Sequence, residues 1–168
     1  MSTEGNNLSV VKGNSIEVAK TSDYVVGIVW AEWNTEITNA LKEGAIKTLI
    51  ENGVLKKNII VKTVPGAFEL TLGAQWIAEH TEAEAVICIG CVIQGETKHF
   101  DFICNAVAQG ITDLNREFSM PFIFGVLTTD NLQQATDRAG GKHGNKGDEA
   151  AITALKMLAL EEDLMSED

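Results

Sequence analysis

From Ala85 to Ile93 the chain is apolar at every position, and it then breaks into a short glycine-containing turn. After the turn an apolar pattern resumes with helical spacing. Tyr24–Trp30 is a second unbroken apolar run. A strand with one face in water alternates apolar and polar residues, so an unbroken run marks a strand buried on both faces. Ile59–Val64 and Phe122–Leu127 read as two further strands.

Helical patterns separate these runs. Ile37, Leu41, Ala45, Thr48 and Leu49 mark one face of a helix, with Asn34 as N-cap, Gly53 at its stop and Glu43–Lys47 as an outer i,i+4 pair. Pro65-Gly66 turns the chain into a second helix marked by Ala67, Leu70, Ala74, Ile77 and Ala78. Ile103, Val107, Ile111, Leu114 and Phe118 mark a third. Asp130 with Gln133 forms a capping-box-like pair for a short helix to about Ala139. Asp148–Leu160 predicts a last helix, apolar on nearly every side and so suited to burial or a subunit contact. Strands alternating with helices predict an α/β fold: three αβα layers, a four-stranded parallel sheet, flavodoxin-like, with helices on both faces.

A length of 168 residues suits one domain, expected over residues 15–160. The polar segment 1–14 and the acidic tail 161–168 are expected to fray. A net charge of −11 argues against nucleic acid, whose affinity comes from neutralised phosphates. The start lacks a signal-peptide pattern, and no apolar run is long enough to span a bilayer. Three cysteines, an odd count, do not suggest a disulfide framework, and a cytoplasmic protein is expected. Cys88 and Cys91 have the spacing of a redox pair but lie inside a strand, where positions three apart face opposite ways; they read as buried and inert. No metal constellation, nucleotide-binding glycine motif or serine-hydrolase elbow is present in the sequence.

In parallel α/β sheets ligands bind beyond the carboxyl ends of the strands, and the candidates collect at these ends. Trp33 and Asn34 follow the first strand; as a bland pair they would be an edge aromatic and a cap. Glu69 lies in the first turn after the second strand, where a carboxylate either complements the helix dipole or holds a polar ligand. After the third strand, Gly95, Glu96, Thr97, Lys98 and His99 unite a glycine, a hydroxyl, a cation and an imidazole. A helix N-terminus with free amides beside a group that titrates near neutrality suits phosphate binding with proton transfer. Arg138 to Gly147 is a basic, glycine-rich loop in an otherwise acidic chain, and its guanidinium can grip phosphate with two N–H groups.

Four stretches then carry a family resemblance: Val64-Pro-Gly-Ala-Phe-Glu69, Gly90 to Asp101, Phe124 to Asp130 and Arg138 to Gly147. In order, from about Ser15 to about Leu160, they resemble the 6,7-dimethyl-8-ribityllumazine synthases. That resemblance implies condensation of 5-amino-6-(D-ribitylamino)uracil with 3,4-dihydroxy-2-butanone 4-phosphate, releasing phosphate and water, without metal or organic cofactor. It makes His99 the proton-transfer residue and Trp33 the ring-stacking aromatic, with Asn34 beside it. Ala67, Phe68 and Glu69 match the segment that holds the ribityl chain and butanone. Cys91, Val92 and Ile93 match the strand end that meets the pyrimidine through its backbone, and Glu96 and Thr97 match the phosphate loop. Phe124 matches an aromatic donated by a neighbouring subunit, Arg138 the phosphate-binding arginine, and Lys146 the lysine near it. The resemblance further implies a homo-oligomer with sites between adjacent subunits, a pentamer or a 60-mer of pentamers; the short Arg138–Gly147 loop favours the latter. Gln94 departs from the family, where Arg is frequent, as do Gly141 (Thr) and Trp33 (Phe). An alternative class is a shell-forming protein of the same fold with vestigial catalysis, and a third is a flavodoxin-like regulator that binds without turnover.

Overall fold

The computed structural model describes residues 21–166; the expected N-terminal segment 1–14 lies outside the described residues. Four strands form one parallel sheet in the order β2-β1-β3-β4: β1 Val26–Ala31, β2 Ile59–Val64, β3 Ala85–Ile93 and β4 Phe122–Thr129. The longer helices are α1 Thr35–Glu51, α2 Leu70–His80, α3 His99–Phe118 and α5 Lys146–Ser166, and the short α4 is Leu132–Thr136.

Strand alternation explains the layering. Val26, Ile28, Ala85, Ile87, Ile89, Cys91, Ile123 and Leu127 face α1 and α5, against Leu41, Ala45, Leu49, Ala151, Ala154 and Leu155. The intervening Val29, Val86, Cys88 and Val126 face α2 and α3, against Leu70, Ala74, Ile77, Val107 and Ile111. The sheet is thus covered on both sides, which is why β1 and β3 carry no polar alternation. Ile87 and Leu155 are fully buried. Truncating either to Ala removes buried methyl groups and leaves a cavity, at a cost of about 2–5 kcal/mol.

Several local expectations hold in the structure. Gly53 takes φ 99°, its N–H bonds the Ile50 carbonyl, and the Val54 N–H bonds that of Leu49. That is the Schellman ending, open to glycine because it lacks the Cβ that resists a left-handed backbone. Cys88 and Cys91 fall on opposite faces of the sheet, as their spacing requires.

Other expectations are corrected. Asn34 stands at the N-cap position of α1 but makes no side-chain cap bond, because its backbone is left-handed at φ 58° and ψ 45°. Glu43 and Lys47 do not pair: Lys42 reaches Glu43 at 2.9 Å and Lys47 reaches Glu51 at 3.7 Å. The cap of α4 is Asn131, whose side chain accepts from the Gln134 N–H, one residue later than expected. α4 stops at Thr136, and the basic loop is ordered by two short strands, β5 Ala139–Gly141 and β6 Gly144–Asn145, paired antiparallel. Glycine-rich strands give no periodic apolar signal, so the hairpin is silent in the sequence. α5 begins at Lys146, buries one face through Ala150, Ala151, Ala154, Leu155 and Leu158, and leaves Met157, Leu160 and Leu164 exposed. It also continues through residues 161–166, part of the acidic segment expected to fray.

Candidate active site

The strand order decides where a ligand can sit. β1 leads into α1 on one face of the sheet, and its neighbour β3 leads into α3 on the other. Adjacent strands whose connections leave in opposite directions open a crevice at their carboxyl ends. On either side of it backbone bonds join the strand ends in pairs, β1 to β2 and β3 to β4. The Glu32 N–H bonds the Val64 carbonyl at 2.9 Å, the Trp33 N–H bonds the Pro65 carbonyl at 3.2 Å, and the Gln94 N–H bonds the Thr129 carbonyl at 2.8 Å.

Trp33 is 73% exposed, although indole is among the largest apolar side chains. It is not loose. A Cβ added at Gly66 would meet Trp33 Cδ1 at 3.3 Å and a Glu69 carboxylate oxygen at 3.1 Å, so Gly66 forms the bed between ring and carboxylate. In the sequence Pro65-Gly66 reads only as a turn, because Trp33 is distant in the chain and meets Gly66 only in the folded structure. Ala67 is buried and Phe68 is 59% exposed in the 3-10 turn Ala67–Glu69 that precedes α2. Asn34 is partly buried, and its Nδ2 donates to the Cys91 carbonyl at 2.9 Å.

At the end of β3, Val92 and Ile93 are half-buried and paired in register with Thr128 and Thr129. Glu96, Thr97 and His99 are exposed. The Thr97 hydroxyl accepts from the His99 N–H at 3.3 Å, which fixes the start of α3. A Cβ at Gly95 would meet nothing within 4 Å, so crowding within the chain does not demand the small residue there; the loop lies open to an approaching group. Gln94, the departure from the family pattern, donates through Nε2 to the Gly95 carbonyl at 2.9 Å.

The remaining candidates lie elsewhere on the chain. Ala139 of the hairpin packs against the α1–α5 core, so Arg138 and Lys146 flank an element on the face opposite α3. Arg138 is half-buried and donates from Nη1 to the Gln134 carbonyl at 3.0 Å; Lys146 pairs with Glu149 at 2.7 Å. Phe124 is 44% exposed on the edge strand β4 and pairs in register with Cys88, three residues before Cys91. At strand rise that is roughly 10 Å along the strand, too far to join the Trp33–Glu69 cluster of its own chain. Cys88 and Cys91 do not offer thiolates: burial pushes their pKa values up to about 12 and about 11. Among the described residues no group of three or more His, Cys, Asp and Glu is placed to hold a metal ion.

A family model described as 6,7-dimethyl-8-ribityllumazine synthase matches residues 23–162. The chain belongs to that family. As a lumazine synthase it is an enzyme, a transferase of riboflavin biosynthesis. Relatives of the same name are similar over almost their whole length. The lumazine synthase of Cytophaga hutchinsonii is 64% identical over 159 residues, 95% of this chain and 98% of the relative. That of Parabacteroides distasonis is 56% identical over 158 residues, 94% and 98% of the two chains. That of Porphyromonas gingivalis is 56% identical over 161 residues, 96% and 99%. No helix among the described residues of this lumazine synthase is long and apolar enough to cross a membrane.

Proposed function

We propose that the crevice at the carboxyl ends of β1, β2 and β3 is where this chain condenses 5-amino-6-(D-ribitylamino)uracil with 3,4-dihydroxy-2-butanone 4-phosphate. The observation that carries the reading is Trp33: an exposed indole beside Gly66, with the Glu69 carboxylate also close to that glycine, at the mouth of the crevice. An exposed flat aromatic face is a platform for a flat heterocycle. Glu69, with Ala67 and Phe68 beside it, meets the polyol side chain and the butanone, and the end of β3 from Cys91 to Ile93 meets the pyrimidine edge.

The reaction needs an amine to attack a ketone, water and phosphate to leave, and a ring to close. Little of this requires covalent help; holding two substrates in register accounts for most of the acceleration. His99 moves protons at the start of α3. The open Gly95–Thr97 loop and Arg138 stabilise the departing phosphate. Since Arg138 and Phe124 sit away from the crevice of their own chain, the reading has them, with Lys146, complete the crevice of a neighbouring copy. The assembly is a pentamer, and the short hairpin loop favours twelve pentamers in a 60-subunit shell within the cytoplasm.

Mixing the protein with the two substrates tests the reading. Appearance of lumazine absorbance and fluorescence supports it, and assembled protein with no turnover leaves only the shell. Light scattering distinguishes a pentamer from a 60-mer.

A further inference from the structure

A side chain crosses the crevice between β1 and β3. Asn34 Nδ2 donates to the Cys91 carbonyl at 2.9 Å, a contact between residues 57 positions apart. A carbonyl oxygen only accepts, so the amide nitrogen is the atom that faces it, and the amide's orientation follows from chemistry. The backbone explains how the side chain gets there. At φ 58° and ψ 45° the residue is left-handed, a conformation Asn tolerates better than most side chains. The carbonyl of Asn34 accepts from the Ile37 and Thr38 N–H groups at 2.9 and 3.0 Å, which anchors that backbone to the first turn of α1. The side chain is thereby withdrawn from capping and turned across the crevice.

From these contacts we infer that Asn34 is a positioning residue for Trp33 rather than only a ligand contact. Trp33 is bonded on one side through its own N–H to the Pro65 carbonyl, and on the other through its neighbour Asn34 to Cys91. The two bonds tie the ends of β2, β1 and β3 together and hold the indole at a set distance from the β3 end. Without the second bond the Glu32–Asn34 turn is held to β2 and to the first turn of α1 but no longer to the end of β3, and the indole swings relative to the strand that faces the ring's edge. The inference rests on the reading of Trp33 as the platform for the pyrimidine.

The test uses the full-length assembled enzyme carrying W30F and W76F, so that Trp33 is its sole tryptophan, and adds Asn34→Asp or Asn34→Gly. Asp keeps the shape and the tolerance for the left-handed backbone but, ionised, has no donor for Cys91; Gly keeps the backbone and removes the side chain. Loss of one hydrogen bond predicts a KM for the pyrimidine raised roughly fivefold in both variants. The KM for the butanone phosphate stays within twofold, a split that general loosening of the fold would not give. Fluorescence anisotropy of Trp33 without substrate falls in both. If either folded variant keeps the parent's pyrimidine KM and anisotropy, the positioning role is overturned. If the parent makes no lumazine, the proposed function fails, while the substrate-free anisotropy still decides the role of Asn34.

Discussion

Arg138 donates from Nη1 to the carbonyl of Gln134 at 3.0 Å, whereas each lysine near it holds a carboxylate. Lys142 pairs with Asp137 at 3.0 Å and Lys146 with Glu149 at 2.7 Å. The guanidinium thus spends one of its N–H donors on a neutral carbonyl and keeps the others for an anion, while each ammonium already faces a carboxylate. Arg138→Ala is expected to raise the KM for the butanone phosphate by about tenfold to hundredfold, the range for a charge-assisted hydrogen bond. Arg138→Lys recovers only part of this, because an ammonium cannot grip phosphate with a planar fork. Steady-state kinetics at saturating pyrimidine decide it, and an unchanged KM in Arg138→Ala removes Arg138 from the site.

His99 is exposed, and its backbone N–H bonds the Thr97 hydroxyl. Replacing the imidazole leaves that bond in place. His99→Ala should therefore melt like the parent while kcat falls about 10²- to 10⁴-fold, the range for a lost general acid–base. A loss below tenfold means the protons travel by another route.

Trp33→Ala separates platform from core. At 73% exposure the indole contributes little to folding, so thermal unfolding should shift little. The KM for the pyrimidine should rise up to about tenfold, while Trp33→Phe stays near the parent because a π-face remains. Equal damage in the Phe and Ala variants would argue against stacking.

Acid should loosen the hairpin. The carboxyl of Asp137 is held below its ordinary value of 3.8, first by the hydrogen bond from Gln133 and next by that from Lys142. A carboxylate with a lowered folded pKa binds fewer protons folded than unfolded, so its stabilisation is present above the unfolded value and is lost as pH falls through the folded one. Urea denaturation of the parent and Asp137→Asn should differ at pH 7 and pH 5, and the gap should close as the pH falls below about 3.8. A gap that persists unchanged at lower pH contradicts the assignment.

Thiol labelling checks the layers of the sheet. Cys88 is fully buried, with its pKa pushed up to about 12, and Cys91 follows at about 11. Cys104 is only half-buried on α3. A chromogenic disulfide reagent at pH 8 should label Cys104 first and reach the other two only on unfolding, because the thiolate is the attacking form. Fast labelling of Cys88 in the folded protein would place β3 wrongly.

What could be read from the chain was what repeats locally. Runs such as Ala85–Ile93 and spacings such as Leu41–Ala45–Leu49 record the periods of strand and helix, so elements, layers and the opposed faces of Cys88 and Cys91 were legible. Candidates at strand ends followed from the alternation of strands and helices. The four motif stretches identified the family.

Tertiary structure decided everything that joins distant residues. Asn34 reads locally as a cap, yet a left-handed backbone and a carbonyl 57 positions away make it a bridge. Gly66 reads as a turn, yet it becomes the bed between Trp33 and Glu69. The hairpin around Arg138 has no apolar period to announce it, and Phe124 shows its distance from the crevice only through its register with Cys88. The sequence by itself determined which segments become strands and helices and which chemistry they carry, because those preferences are local. The order β2-β1-β3-β4, and with it the crevice that Asn34 spans, arises from contacts between segments far apart in the chain, which local periodicity does not encode.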